Sequence, residues 1–164
     1  MIPVSMPRIS QAIREAKLPP VDFVVGIATG GTVPASLLAY RLGVEMQMLP
    51  VNYRDEDNTP RYEHPRLVGP RLSLPETAGR LLLVDDVSVT GRTLDYARTL
   101  LPDRPVTTLV MKGKADIVLL PEITECVDWP WKAGGRMGKA EPLGSESGPD
   151  PDTRMGKDGN LKRG

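Results

Sequence analysis

The sequence has little of several residue types that many functional sites require. One cysteine in 164 residues excludes an intramolecular disulfide and a metal site built from several thiolates. The single histidine, His64, likewise excludes a histidine cluster. No apolar run reaches the roughly 18 residues of a membrane span, and the first residues lack the basic and then apolar pattern of a signal peptide. We therefore expect no membrane partner and a cytoplasmic location.

The chain also lacks an excess of charge of either sign. Its 21 Lys and Arg residues equal its 21 Asp and Glu residues. A balanced chain has no global field that attracts nucleic acid or an anionic membrane, so any anion site must be local. The length suits one domain with a substantial core. We expect no nucleic-acid partner.

A stretch in the middle of the chain predicts a phosphate site. Leu81 to Val84 are apolar and are followed by Asp85 and Asp86, as in a buried parallel strand whose carboxyl end opens onto a site. Small and hydroxylated residues come next, and a helix is predicted over 94–101. Such a turn before a helix gathers backbone amides and hydroxyls where the helix dipole favours an anion. This predicted cradle comprises Ser88, Val89, Thr90, Gly91, Arg92 and Thr93.

The two acids beside the cradle predict a different ligand group. Because carboxylates repel a phosphate, Asp85 and Asp86 are expected to hold hydroxyl groups or a divalent cation, Mg²⁺. A ligand with a phosphate at one end and a diol with Mg²⁺ at the other is a phosphorylated sugar. The alternative for the same residues is an ordinary Rossmann-type strand and loop with surface acids.

The segment VDDVSVTGRT resembles the phosphoribosyl pyrophosphate (PRPP) binding motif of the type I phosphoribosyltransferases. In that family four hydrophobic residues, two acids and a T-G-x-T turn occur in this order. The resemblance implies transfer of ribose 5-phosphate from PRPP to a base, with Asp85 and Asp86 anchoring the ribose hydroxyls, directly or with Mg²⁺. It also implies a homo-oligomer, a dimer or tetramer. Alternating strand and helix signals predict the matching fold class, α/β with a parallel sheet flanked by helices.

A second strand, turn and helix lies upstream. A strand is predicted from Val21 to Ala28 and a helix from Val33 to Leu42. The turn between them is Thr29, Gly30, Gly31 and Thr32, whose glycines let backbone amides approach an anion. Alone, it is equally typical of a plain βα connection. GIATGGTVPASLLAYRLG is similar to the stretch of bacterial xanthine-guanine phosphoribosyltransferases that binds pyrophosphate, but those enzymes carry an arginine where Thr29 stands.

The segments around these motifs have simpler interpretations. Ser5 is the expected cap of a first helix that ends before Pro19, and Glu45 to Val51 are a predicted third strand. Residues 52–65 are polar and broken by prolines, which predicts a mobile loop; the resemblance implies that it closes over the reaction centre. Tyr53 and Arg54 are candidate phosphate contacts there. His64 is expected to be solvated.

The carboxyl-terminal part of the domain carries the candidate base site. Val106 to Met111 are a predicted strand that ends at Lys112, which by resemblance donates to the exocyclic oxygen of a 6-oxopurine; the alternative is a lysine that caps a strand exit. Two tryptophans in an aromatic-poor chain either cover a heterocycle or fill the edge of the core. The family's stacking aromatic lies where Cys126 stands, so either Trp129 or Trp131 replaces it or the stacking contact is lost. The backbone of Val127 is a candidate partner for the base edge.

The composition changes after Lys132. Residues 133–164 hold half of the glycines, several prolines and few large apolar side chains, so they cannot offset the entropy of ordering. We predict a phosphoribosyltransferase domain over 1–132, with a small C-terminal hood over 122–132, and a disordered tail over 133–164.

Val89 leaves the acceptor base open. By resemblance, 6-oxopurine enzymes carry an aspartate there that handles a proton of the base, and valine cannot accept a proton. Three hypotheses follow. The protein is a purine phosphoribosyltransferase, or it acts on another base or in the reverse direction, or it is a PRPP-binding regulator without turnover.

Overall fold

The structure is a computed structural model, and it describes residues 1–52 and 62–132. Two predicted phosphate contacts, Tyr53 and Arg54, and the predicted tail 133–164 lie outside the described residues. No helix within the described ranges is long and apolar enough to cross a membrane.

The described residues form eight strands and three helices. Most of the boundaries agree with the sequence pattern to within two or three residues. In chain order the elements are β1 (Ile2–Pro3), α1 (Met6–Glu15), β2 (Phe23–Ala28), α2 (Thr32–Leu42), β3 (Glu45–Asn52), β4 (Arg66–Leu67), β5 (Leu81–Ser88), α3 (Arg92–Thr99), β6 (Val106–Gly113), β7 (Ile117–Val118) and β8 (Val127–Asp128).

The main sheet has six strands in the order β4-β3-β2-β5-β6-β7. All neighbouring pairs are parallel except β3 and β4. From β2 the chain builds outward to one edge, and from β5 it builds outward to the other. The switch point of this doubly wound sheet therefore lies between β2 and β5, and the loops that follow them diverge around one crevice. This confirms the predicted fold class.

The helices cover both faces of the sheet because the central strands are apolar on both sides. In β2, Val24 belongs to the core under α1 and α2, whereas the next residue, Val25, belongs to the core under α3. In β5, Leu82 and Leu83 divide in the same way between the two cores. Two filled cores hold β2 and β5 rigidly, which fixes the positions of the loops at their carboxyl ends.

The central strand β5 differs from its prediction in length. The acids were expected to follow a strand that ends at Val84, but β5 continues through Asp85 and Asp86 to Ser88. The reason is pairing, since Val87 and Ser88 are still in register with Lys112 and Gly113 of β6. The acid pair is therefore held by the sheet itself, and the loop before α3 is reduced to residues 89–91.

A short second sheet ties the carboxyl-terminal segment to the amino terminus. β8 pairs in parallel with β1, with Ile2 opposite Val127. The amide of Ile2 also donates to the carbonyl of Cys126 at 2.8 Å. Beside it, Ser5 caps α1 as predicted, because its Oγ accepts from the amide of Arg8 at 3.4 Å. The segment that carries both tryptophans is thus anchored by hydrogen bonds to the first strand.

Candidate active site at the switch point

The turn after β2 and the acids of β5 lie against each other. A Cβ atom placed on Gly30 would come within 2.3 Å of Asp86 Oδ1 and 3.1 Å of Asp86 Oδ2. A side chain at position 30 therefore fits only if the Asp86 carboxylate moves. The peptide bond between Ala28 and Thr29 at the start of this turn is cis. The predicted pyrophosphate turn and the predicted ribose anchor therefore share one crevice.

Gly31 brings the turn close to the backbone of the sheet. A Cβ on Gly31 would lie 2.4 Å from the carbonyl oxygen of Val84 and 2.8 Å from that of Ile27. The amide of Gly31 donates to the same Ile27 oxygen at 2.8 Å. Gly30 thus allows the close approach of an acid, and Gly31 allows the close approach of the sheet backbone. Thr29 and Thr32 on either side are exposed to solvent.

The two acids occupy different electrostatic environments. Asp85 is buried, and burial raises the pKa of its carboxyl well above the ordinary value, with the neighbouring charge of Asp86 raising it further. Asp85 Oδ1 accepts from the amide of Asp86, and Asp86 Oδ1 accepts from the amide of Val87, both at 2.8 Å. These bonds fix both side chains and leave one oxygen of Asp86 for other partners.

The remaining oxygen of Asp86 faces a lysine from the hood. Lys132 Nζ lies 3.1 Å from Asp86 Oδ2, although this buried oxygen has no partner with hydrogen-bond geometry. The contact is therefore an ion pair, and 49% of the Lys132 side chain is accessible to solvent. The residue pattern gave no signal for this contact, because Lys132 is separated from Asp86 by 45 residues of intervening chain.

The predicted phosphate cradle forms the next turn along the same edge of the sheet. Gly91 has a φ of 85°, a left-handed conformation that favours glycine, and α3 begins at the following residue. The amide of Arg92 approaches Thr90 Oγ1 at 3.5 Å. Ser88 is buried in β5, whereas Val89, Thr90 and Arg92 are exposed, and Thr93 is half-buried. The helix amino terminus thus opens beside the acid pair, as an anion site requires.

The predicted base site is assembled from β6 and the hood. Lys112 Nζ donates to the carbonyl oxygen of Glu125 at 2.5 Å, so the lysine at the end of β6 reaches the hood segment. Val127 is half-buried in β8. This bond joins two parts of the protein itself, and the contact of Lys112 with a base stays a prediction. Cys126 is exposed, and so is His64, which lies 3.8 Å from Glu63 Oε1.

The structure contradicts the prediction that Trp129 lines a base site. Its side chain is fully buried among the residues under α1 and α2, and no face of the ring is open to a ligand. Trp131 stacks on it, with ring centroids 5.2 Å apart and planes inclined by 4°. Of the two interpretations of the tryptophan pair, filling the core edge holds for Trp129. Trp131, which is half-buried, remains the candidate for a base contact.

The acid pair can hold a divalent cation only with help from the ligand. The described residues contain no cluster of three or more acidic, histidine or cysteine side chains that could hold a metal. Asp85 and Asp86 do supply the oxygen donors that Mg²⁺ prefers, and one of these oxygens lacks a hydrogen-bond partner. Asp85 and Asp86 would therefore be the residues that hold a Mg²⁺ ion, which would supply positive charge beside a bound phosphate ester.

The contact between Gly30 and Asp86 gives a first prediction. In a Gly30→Ala variant the new methyl group must displace the Asp86 carboxylate, because flexible side-chain atoms yield before backbone does. We expect PRPP affinity to fall about two- to tenfold, the value of one hydrogen bond, while the thermal midpoint changes little. Isothermal titration calorimetry and thermal unfolding measure the two effects.

The same substitution at Gly79, an exposed glycine at the other end of the sheet, is the control for Gly30→Ala. Its Cβ would meet only the Asp22 carboxylate, at 3.2 Å. An equal loss of PRPP affinity in both variants would show that the contact between Gly30 and Asp86 has no part in binding.

A doubly wound α/β domain with two glycine-containing turns and an acid pair at its switch point belongs to the class of folds that bind ligands at the carboxyl ends of their strands. The chain belongs to the phosphoribosyl transferase domain family, whose model matches residues 8–112. The resemblance of VDDVSVTGRT to the type I phosphoribosyltransferases is thereby confirmed.

Curated relatives match only part of this chain. The bifunctional protein PyrR of Acetivibrio thermocellus is 33% identical over 112 residues, which are 60% of this chain and 60% of that protein. The orotate phosphoribosyltransferase of Saccharolobus solfataricus is 33% identical over 89 residues, or 54% of this chain and 40% of that protein. The chain thus spans about 60% or less of the length of these relatives.

Solved structures match the fold over a larger share of the chain. A purine phosphoribosyltransferase from Pyrococcus horikoshii has a TM-score of 0.59 at 24% identity, covering 80% of this chain and 93% of that one. A hypothetical protein from Neisseria gonorrhoeae with bound ppGpp has the same TM-score at 25% identity, covering 80% and 89%. These similarities place the fold in the family without assigning a substrate.

Proposed function

We propose that this protein transfers ribose 5-phosphate from PRPP to a nitrogen of a base and releases pyrophosphate. The observation that carries the proposal is the contact between Gly30 and Asp86, which joins the two predicted halves of a PRPP site in one crevice. A phosphorylated sugar that carries a diphosphate needs three features in reach of one another. These are an anion cradle, an acid pair and a second anion turn, and all three lie at the switch point.

In the proposed reaction the bond between C1′ and the pyrophosphate oxygen breaks, and its electron pair leaves with pyrophosphate. The lone pair of the base nitrogen forms the new bond to C1′, and the proton of that nitrogen then passes to water. The transition state has oxocarbenium character, so catalysis is largely electrostatic and positional. The 5′-phosphate binds residues 88–93, the ribose hydroxyls bind Asp85 and Asp86, and pyrophosphate binds residues 29–32. A bound Mg²⁺ would neutralise charge on the leaving pyrophosphate.

The proposed acceptor is a 6-oxopurine. Lys112 supports this choice, because its ammonium already reaches the hood, where a base exocyclic oxygen could accept from it. The backbone of Val127 and the ring of Trp131 are the further proposed contacts. Among the structures that resemble this fold is the purine phosphoribosyltransferase of Pyrococcus horikoshii.

A second candidate function is transfer to a different base, and Val89 favours it. Its side chain is 54% exposed at the edge of the crevice, at the position where a 6-oxopurine enzyme would place a proton acceptor. An exposed valine can neither accept nor donate a proton. The relatives of similar sequence include an orotate phosphoribosyltransferase, which acts on a pyrimidine.

Replacing Val89 distinguishes these two acceptors. A Val89→Asp variant places a carboxylate at the exposed position, and we expect it to raise guanine or hypoxanthine turnover by about a hundredfold, the lower end of what a positioned general base contributes. Steady-state rates with each base measure the change, and Val89→Asn, which has the shape without the charge, is the control. Equal rates in all three proteins would remove Val89 from base selection.

Incubation with PRPP, Mg²⁺ and a panel of purine and pyrimidine bases tests the function itself. Pyrophosphate release with any base supports the transferase proposal. PRPP binding without release would instead favour the third hypothesis, a binding regulator; relatives of this chain include a protein named transcriptional regulator GfcR, from Methanocella arvoryzae. Absence of PRPP binding would overturn both.

The context of the enzyme is also proposed. We infer a cytoplasmic homo-oligomer, a dimer or tetramer, in which residues 1–132 form the domain and 133–164 a tail. Light scattering measures the oligomeric state, and limited proteolysis tests whether the first cleavage falls after Lys132.

A further inference from the structure

The turn from residue 29 to 32 contains no cationic side chain, yet it lies beside a carboxylate. Thr29 and Thr32 are neutral, and the two glycines offer only backbone amides. The Asp86 carboxylate lies so close to Gly30 that no Cβ atom fits between them. A multiply charged anion bound at this turn would therefore approach a like charge, which costs energy unless a cation lies near it.

Lys132 places a cation at this position. Its Nζ is 3.1 Å from Asp86 Oδ2, and the Cβ position of Gly30 is 3.1 Å from the same oxygen. Asp86 Oδ2 therefore lies close both to the Lys132 ammonium and to the turn at Gly30. The backbone amide of Lys132 donates to the carbonyl of Trp129 at 3.1 Å, which fixes the start of the lysine side chain to the buried tryptophan.

Its partial exposure leaves Lys132 able to serve a ligand. About half of the side chain is accessible, while the Asp86 side chain is 9% accessible, so the ammonium contacts the acid from the open side of the crevice. Asp86 Oδ2 has no hydrogen-bond partner, so the lysine is not locked to it by a directed bond.

We propose that Lys132 is the cationic side chain that binds the pyrophosphate group of PRPP and stabilises it as it leaves. The inference rests on the proposed function. The ammonium, held beside Gly30 by Asp86, neutralises both the acid and the incoming diphosphate, so that backbone amides and one side chain form the anion site together. Lys132 is therefore a binding residue for the leaving group and has no role at the 5′-phosphate.

Calorimetry with three ligands tests this assignment in the full-length protein. Lys132→Met is expected to weaken the binding of pyrophosphate and of PRPP at least about fivefold. This is the contribution of a hydrogen bond to a charged group, reduced because the lysine is partly exposed. Ribose 5-phosphate, which lacks the diphosphate, should bind within about twofold of the unmodified protein, and Lys132→Arg should recover most of the affinity. Lys114→Met removes the same charge from an exposed lysine on the same edge and should change none of the three.

Each other outcome overturns the assignment. If Lys132→Met weakens the binding of ribose 5-phosphate as much as that of pyrophosphate, Lys132 acts only by holding Asp86. Tighter PRPP binding in Lys132→Met would make the lysine a counterion that blocks the site. If Lys132→Met binds pyrophosphate as tightly as the unmodified protein does, and the unmodified protein binds PRPP, Lys132 is not part of the pyrophosphate site. The proposed function is then unaffected. If the unmodified protein binds pyrophosphate but not PRPP, the proposed function fails, and the assignment of Lys132 to the pyrophosphate group of PRPP fails with it.

Discussion

Replacing Trp129 by alanine is expected to lower the free energy of unfolding by about 3–5 kcal/mol, the cost of emptying a fully buried aromatic site. The indole is 0% exposed and is the largest fully buried side chain in the described part of the chain. It belongs to the same buried cluster as Ile9 and Ile13 of α1, so its loss leaves a cavity in that core. Urea unfolding followed by circular dichroism measures the change.

Trp131→Ala is the matched control for this experiment. The Trp131 ring stacks on Trp129 but is only half-buried, so its removal costs the stacking contact, about 0.5–1.5 kcal/mol, and part of its buried area. A loss of less than about 1 kcal/mol in Trp129→Ala would show that Trp129 is not a core residue and would reopen its assignment to the base site.

The frame of the fold could be predicted from local sequence because the central strands are apolar on both faces. Runs such as those in β2 and β5 allow few other interpretations, and a glycine-rich or small-residue turn follows each. The two turns could be placed in one crevice because the carboxyl ends of parallel neighbours share an edge. Strand length was less predictable. β5 extends to Ser88 because it pairs with β6, which is a long-range property.

The hood could not be derived in the same way. A tryptophan has the same chemistry in a core and over a ligand, so the sequence left two interpretations for Trp129. Burial selects between them, and burial depends on the pairing of β8 with β1 at the opposite end of the chain. The contact of Lys132 with Asp86 depends on the same pairing, since it brings the hood back over the sheet. A lysine after a tryptophan carries no local pattern from which such a contact follows.

The structure also separates the roles of two adjacent acids that the sequence treats alike. Burial and the charge of Asp86 raise the pKa of Asp85, which favours its neutral form. Asp86 instead lies next to the Lys132 ammonium and next to the turn at Gly30. Of the pair, we therefore expect Asp86 to be the charged anchor for the ribose hydroxyls, and substitution of Asp85 by asparagine to have the smaller effect.

Asp86→Asn is accordingly expected to weaken PRPP binding by roughly ten- to hundredfold, since hydrogen bonds to a charged acceptor contribute about 1.5–3 kcal/mol. The asparagine keeps the Oδ1 acceptor for the amide of Val87, so the backbone of β5 should not move. It turns an amide group toward Lys132, and the ion pair is lost. Calorimetry with PRPP and steady-state transfer rates measure the effect.

The control for this charge is Asp22→Asn, because Asp22 pairs with Arg80 at the amino end of β2, away from the crevice. That variant removes one carboxylate from the same sheet and should leave PRPP affinity within about twofold, as for an exposed ion pair. Equal affinities in Asp86→Asn and the unmodified protein would mean that the ribose does not meet β5 at this acid. In that event the contact between Gly30 and Asp86 would only pack the turn, and the sugar would have to be held by the turns alone.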